Sequence, residues 1–110
     1  MKISAKGRPV KVRQVKTIPR VQMFSPRGRP GRPEEIQLTF DQFEALKLAD
    51  LEGRGQAEGA TILGVSRATF GRIIEAAHRN IADALVNGKI IKIFGGSVHL
   101  ELNSEKISPK

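Results

Sequence analysis

One stretch constrains the fold of this chain more than any other. Phe70, Ile73, Ile74, Ala77, Ile81 and Leu85 fall at offsets 0, 3, 4, 7, 11 and 15, which draws a single apolar stripe along a helix of 3.6 residues per turn. Ser66 stands where its hydroxyl can cap the first turn, and Asn87-Gly88 supplies the stop. A rod of this length with one apolar face must be covered along that face. Its opposite face carries Arg72, Glu75, Arg79 and Asp83 at spacings of three or four with alternating sign, the pattern of a solvated surface with weak ion pairs.

The residues that should cover the rod precede it. Thr39 with Gln42 three positions on has the form of a capping box. A helix is expected from about Phe40 to Glu52, with Phe43, Ala45, Leu46, Leu48, Ala49 and Leu51 on its apolar side and Gly53 ending it in a left-handed conformation. A short helix should follow over Gln56 to Leu63 and stop at Gly64. After the rod, Lys89 to Phe94 is rich in β-branched residues, Gly95-Gly96 is a turn signal, and Val98, Leu100 and Leu102 alternate with polar residues, so residues 89–103 read as a β-hairpin. A lone hairpin is marginal in water, so it must lie on the helices, pair with the stretch from Val10 to Val15, or pair with another subunit. Residues 104–110 read as a tail.

Charge separates the first third from the rest. With 19 Lys plus Arg against 11 Asp plus Glu the net charge is +8. Residues 1–33 hold ten of those cations and no acid, so the remainder holds nine cations and eleven acids, or −2. Five of the six prolines also fall before Glu34, which opposes a helix there and predicts an extended basic arm. The same prolines argue against an amphipathic transit peptide. An excess this large points to a polyanionic partner.

Several classes drop out. The chain has no cysteine, hence no disulfide framework and no thiolate metal site. No apolar run approaches the roughly 20 residues of a membrane helix, and a cytoplasmic protein with no membrane contact is expected. His78 and His99 are isolated, the glycine-rich stretch from Gly53 to Gly64 lacks the Gly-Lys-Ser/Thr ending of a phosphate loop, and Glu34-Glu35 reads as a linker or as helix-dipole partners. No metal, cofactor or enzymatic activity is expected.

The short helix, turn and long helix fill the restricted positions of a helix-turn-helix. Ala60 is the small residue where two helices cross, and Gly64, four positions later, tolerates the turn's positive φ. Leu63, Val65, Phe70 and Ile73 pin the unit to a core. A recognition helix enters the major groove N-terminus first. That geometry makes Arg67, Ala68, Thr69, Gly71, Arg72 and Glu75 the candidate base-reading residues, with the arginines suited to guanine, Thr69 to thymine and Glu75 to cytosine or to an ion pair with Arg72 or Arg79. Gln56, Ser66 and Arg79 are the candidate phosphate contacts, Gln56 with the amides that open the short helix.

The segments LTFDQFEALKLADLEG and LGVSRATFGRIIEAAHRNIADALVNGK, within Glu35 to Lys89, resemble an uncharacterised prokaryotic family of small predicted DNA-binding proteins, and the likeness extends to Phe24-Ser25-Pro26-Arg27-Gly28. The helix-turn-helix of that family is similar to region 4 of sigma factors. The resemblance implies DNA binding and transcription regulation. This chain departs from the family pattern at Gly55, Ala57 and Gly59 of the short helix, and it lacks the cysteines that family members often carry near the N-terminus, so no metal role carries over. Interior glycines cost about 1 kcal/mol each relative to alanine, so Gly59 and Gly71 should leave the motif locally soft.

The expected fold is therefore mainly α: a three-helix, sigma region 4-like helix-turn-helix domain over 34–88, an extended basic arm over 1–33 and a small C-terminal hairpin. In the arm, Pro26-Arg27-Gly28-Arg29-Pro30 matches the core of an AT-hook and Lys6-Gly7-Arg8-Pro9 partly echoes it, which makes Arg8, Arg27, Gly28, Arg29 and Arg32 candidate minor-groove or phosphate contacts. The expected partners are double-stranded DNA and a second copy of the chain, since so small a core favours association. Two alternatives stand beside this: a module that docks on RNA polymerase or another protein, with DNA contact secondary, and RNA binding by the arm.

Overall fold

A computed structural model describes residues 12–96 and 98–100; for the last three it describes the backbone alone. Arg8, the side chain of His99 and the expected tail lie outside the described residues.

The helices follow the local signals closely. Helix α1 spans Phe40–Leu46 behind a capping box in which the Thr39 side chain accepts from the Gln42 amide and the Gln42 side chain accepts from the Thr39 amide. It continues as a π-helical segment over Lys47–Leu51, where the Glu52 amide donates to the Lys47 carbonyl five residues back. A π turn advances each residue by less than the 100° of an α-helix. Leu48 therefore stays buried while Leu51, expected on the same apolar side, is 81% exposed. Helix α2 spans Gln56–Leu63 and ends on Gly64 at φ +78°. Helix α3 spans Arg67–Asn87; the Ser66 side chain accepts from the Thr69 amide at its start and Gly88, at φ +65°, closes it. Its buried stripe is Phe70, Ile73, Ile74, Ala77 and Ala84, with Ile81 half-buried. Leu85 is exposed, because at the helix end the packed side has drifted one residue, to Ala84.

Pairing with the stretch from Val10 to Val15, one of the placements left open for the C-terminal strands, is the one seen for the last of them. Strand β1 (Arg13–Val15) pairs in parallel with β5 (Val98–Leu100). A second sheet has the order β2 (Met23–Phe24), β4 (Ile90–Ile93), β3 (Glu35–Leu38), with β2 antiparallel and β3 parallel to the central β4. The expected hairpin is thus corrected: β4 and β5 belong to different sheets, and each pairs with the N-terminal segment. Gly95-Gly96 does not join two paired strands. Both residues have positive φ, and a Cβ on Gly96 would lie 2.8 Å from Asp41 Oδ1 and 3.0 Å from Thr39 Cβ. The two glycines carry the chain tightly past the first turn of α1, where the Phe40 amide donates to the Gly95 carbonyl.

The arm is corrected in the same way. Val15 is fully buried and Gln14 lies against the α2–α3 turn, since a Cβ on Gly64 would come within 3.1 Å of Gln14 Cγ. Glu35, expected in a linker or at a helix end, opens β3. Helices α1, α2 and the first half of α3 enclose one apolar cluster around Ala45, Leu48, Leu63, Phe70 and Ile74. The second half of α3 lies on the sheet through Ala77, Leu38 and Ile93. The architecture is three helices with a small three-stranded sheet, and its strands come from the N-terminal as well as the C-terminal part of the chain.

Gly59 also reads differently in three dimensions. A Cβ there would sit 2.7 Å from Cζ of Phe70, whose side chain is fully buried, whereas a Cβ on Gly71 would meet nothing nearer than Gln56 Oε1 at 3.7 Å. The backbone of α2 approaches the Phe70 ring so closely that only glycine fits. Overpacking costs about 1–3 kcal/mol, more than the roughly 1 kcal/mol of helix propensity that alanine returns. Gly59→Ala should therefore lower the urea midpoint, while Gly71→Ala, which keeps the propensity gain without a clash, should raise it.

Candidate nucleic-acid interface

The inward stripe of α3 turns its other side to solvent. Arg67, Ala68, Arg72, Glu75 and Arg79 are exposed, and Thr69 and Gly71 are half-buried. No side chain of the described residues covers this leading face. Thr69 is its organising group: its Oγ1 accepts from Ser66 Oγ at 3.0 Å and from Arg72 Nη2 at 3.3 Å. The hydroxyl that caps the helix is thus linked, through Thr69, to the arginine one turn on. Gln56, the first residue of α2, is exposed and brings its Oε1 near Gly71, so the starts of α2 and α3 lie side by side. Gly55 caps α2 without a side chain, which leaves the amides of that helix start without a side-chain partner.

Charge on this face is positive at the leading end. Arg67 and Arg72 make no ion pair among the described residues, while Glu75 takes the ion-pair role, with Arg79 Nη2 3.8 Å from its carboxylate. Arg54 behind the site is committed to Glu52 and Glu58 at 2.7 and 2.6 Å; its hydrogen bond to Glu52, joined by that of Lys47, holds the Glu52 carboxyl below the usual carboxylate range.

The structure gathers Gln56, Ser66, Arg67, Ala68, Thr69, Gly71 and Arg72 at one end of α3, with Glu75 and Arg79 one and two turns further on. It does not bring Arg27, Gly28, Arg29 or Arg32 there. Arg29 lies at the opposite end, where a Cβ on Gly88 would be 3.0 Å from its Nη1. Arg27, Gly28 and Arg32 are exposed on the same loop, and Arg27-Gly28 forms a turn with Gly28 at φ +80° rather than the extended backbone of a minor-groove insert. The neighbouring Lys89 is occupied by Asp83 at 3.0 Å and Glu34 at 3.5 Å.

One pair was not legible from the sequence. His78 Nε2 stands 2.7 Å from Asp50 Oδ2, both side chains exposed, although 28 residues separate them in the chain. No helix among the described residues is long and apolar enough to cross a membrane, and no group of three His, Cys, Asp or Glu among them could hold a metal ion.

Fold and surface together define a small unit of three helices and a three-stranded sheet with one exposed polar helix face. A family model described as "Protein of unknown function DUF134" matches residues 2–101, and the chain belongs to that family. It is similar to a UPF0251 protein of Prosthecochloris aestuarii, 54% identical over 93 residues that make up 84% of this chain and 60% of the relative. A UPF0251 protein of Chlorobaculum tepidum is 48% identical over 99 residues, 89% of this chain and 65% of that one. A third, from Caldanaerobacter subterraneus, is 50% identical over 91 residues, 82% and 77%. The chain therefore spans less than two thirds of the length of the first two relatives. No solved structure matches it.

At the far end of α3, the Asn87 side chain donates to Asp83 and Lys89 adds a second hydrogen bond, which together hold the Asp83 carboxyl below its ordinary value of 3.8. The stability that Asp83 contributes is present above pH 3.8 and lost as pH falls through its lower, folded-state value. In an NMR titration the Asp83 side chain should have its midpoint below 3.8, and Asn87→Ala should move it upward.

Proposed function

We propose that this protein binds double-stranded DNA in a sequence-selective way and acts as a transcription regulator, with α2, the turn and α3 as a sigma region 4-like helix-turn-helix. The observation that carries the reading is the exposed leading end of α3, where Arg67 and Arg72 face solvent around the half-buried Thr69, beside the uncapped start of α2. Entering the major groove end first, α3 presents its first two turns to base edges. The α2 amides and Gln56 then face a phosphate, as a helix N-terminus with free donors and a positive dipole end can. Arg72 is the main reader: its fork can donate two hydrogen bonds to guanine, and Thr69 limits where it points. Arg67 reads or holds the adjacent position.

A second reading is favoured by a different surface. Ile18, Val21, Phe24, Phe43, Leu46 and Leu51 line an open, largely apolar groove of about 630 Å³ on the side of α1. Such a groove suits a protein partner, RNA polymerase or a second copy of the chain, with DNA contact secondary.

Selection from randomised duplexes by the full chain is the deciding experiment. An enriched motif is expected, and recovery of none would overturn sequence-selective binding. On the selected site, Arg72→Ala should cost about 1–3 kcal/mol and relax the preference at one base position. An equal loss on unselected duplex would show that Arg72 contacts only the backbone.

A further inference from the structure

We infer that the loop of residues 25–34 is a second duplex-binding surface, so that one chain bridges two DNA segments; the inference rests on the reading of α3 just given. The loop leaves the sheet at Phe24, which pairs with Ile91, and returns at Glu35, which pairs with Ile90. Both ends are thus fixed to the first residues of β4, directly after the C-terminal end of α3. Arg27, Arg29 and Arg32 project from it, all exposed, and none makes an ion pair among the described residues. The acids beside them are already answered, Glu34 by Lys89 at 3.5 Å and Glu35 by Lys92 at 3.9 Å. Three cations remain uncompensated on one loop, and Gly28 and Gly31, both at positive φ with open space around them, leave its backbone accessible.

Distance separates this loop from the leading end. A helix of 21 residues is about 31 Å long. Arg29 lies five or six residues from either anchor, so even a fully extended loop carries it no more than about 17–20 Å from β4. A major groove is only about 8.5 Å deep. With α3 inserted end first, about 22 Å of it stands outside the groove, and Arg27 and Arg32, each three residues from an anchor and so within about 10 Å of β4, stay roughly 12 Å outside that groove. Its backbone anchors thus lie beyond that duplex, and a second segment of phosphate backbone is the polyanion of the same chemistry open to its exposed arginines. Arg29 is held against the end of α3, where the negative pole of the helix attracts it. Arg27 and Arg32 are the free contacts.

The test uses the full chain, a 30-base-pair duplex carrying the site selected from randomised duplexes fixed to beads, and a fluorescent copy of that duplex in solution. Wild type should bind the beads and then retain the fluorescent duplex. Arg27→Gln combined with Arg32→Gln should lower capture of the second duplex at least tenfold more than it lowers binding of the first, and flatten the salt slope of capture by about 1.8. Arg27→Lys with Arg32→Lys should restore capture. Three results would overturn the bridge: single-duplex binding without capture in wild type, equal loss of both by the glutamine variant, or capture undiminished in that variant, as a dimer using two copies of α3 would give. Absence of any duplex binding by wild type would instead remove the reading of α3, and the bridge with it.

Discussion

The contact on which the rest of the structure depends is that of the Phe70 ring with the backbone of α2 at Gly59. Because Phe70 is fully buried and α2 carries no side chain at that point, the two helices approach to the distance of a ring on a backbone. That approach fixes the roll of α3: with Phe70, Ile73 and Ile74 turned inward, Arg67, Ala68 and Arg72 must turn outward. It also sets the start of α2 beside Gly71, so that the amides of one helix and the side chains of the other open on the same surface.

Helix α3 is shared between two environments. Its first half belongs to the helical cluster with Ala45, Leu48 and Leu63, and its second half lies on the sheet with Leu38 and Ile93. The same rod therefore separates two cationic regions, one at its exposed leading end and one at the loop fixed on β4. Between them the charges are largely paired within the chain, as at Glu75 and Arg79 and at Asp83 and Lys89.

Two acidic side chains of α1 are buried. Glu44 is fully buried on α1, with Lys47 Nζ 3.4 Å from its carboxylate, and Asp41, nearly buried, faces Arg13 of β1 at 3.5 Å. Removing one partner from a buried pair leaves an uncompensated charge, which costs more than the pair itself contributes. Arg13 of the basic N-terminal segment is thereby tied to the folded unit.

The local features of this fold were legible in the sequence because each is decided within a few residues. The capping box at Thr39, the bounds of α2, the left-handed glycines 53, 64 and 88 and the Ser66 cap depend on neighbours one to four positions away. So does the candidate reading face, which is the complement of a periodic stripe. Pairing was not legible, because a strand's β-branched pattern records that it will be half-buried and not which strand it meets. Only the tertiary structure sent β4 to β2 and β3, chose β1 among the partners open to β5, and placed the Arg27 loop at the far end of α3. The Gly59 contact and the His78–Asp50 pair belong to the same class, since each joins residues that chain distance leaves independent until the helices have packed.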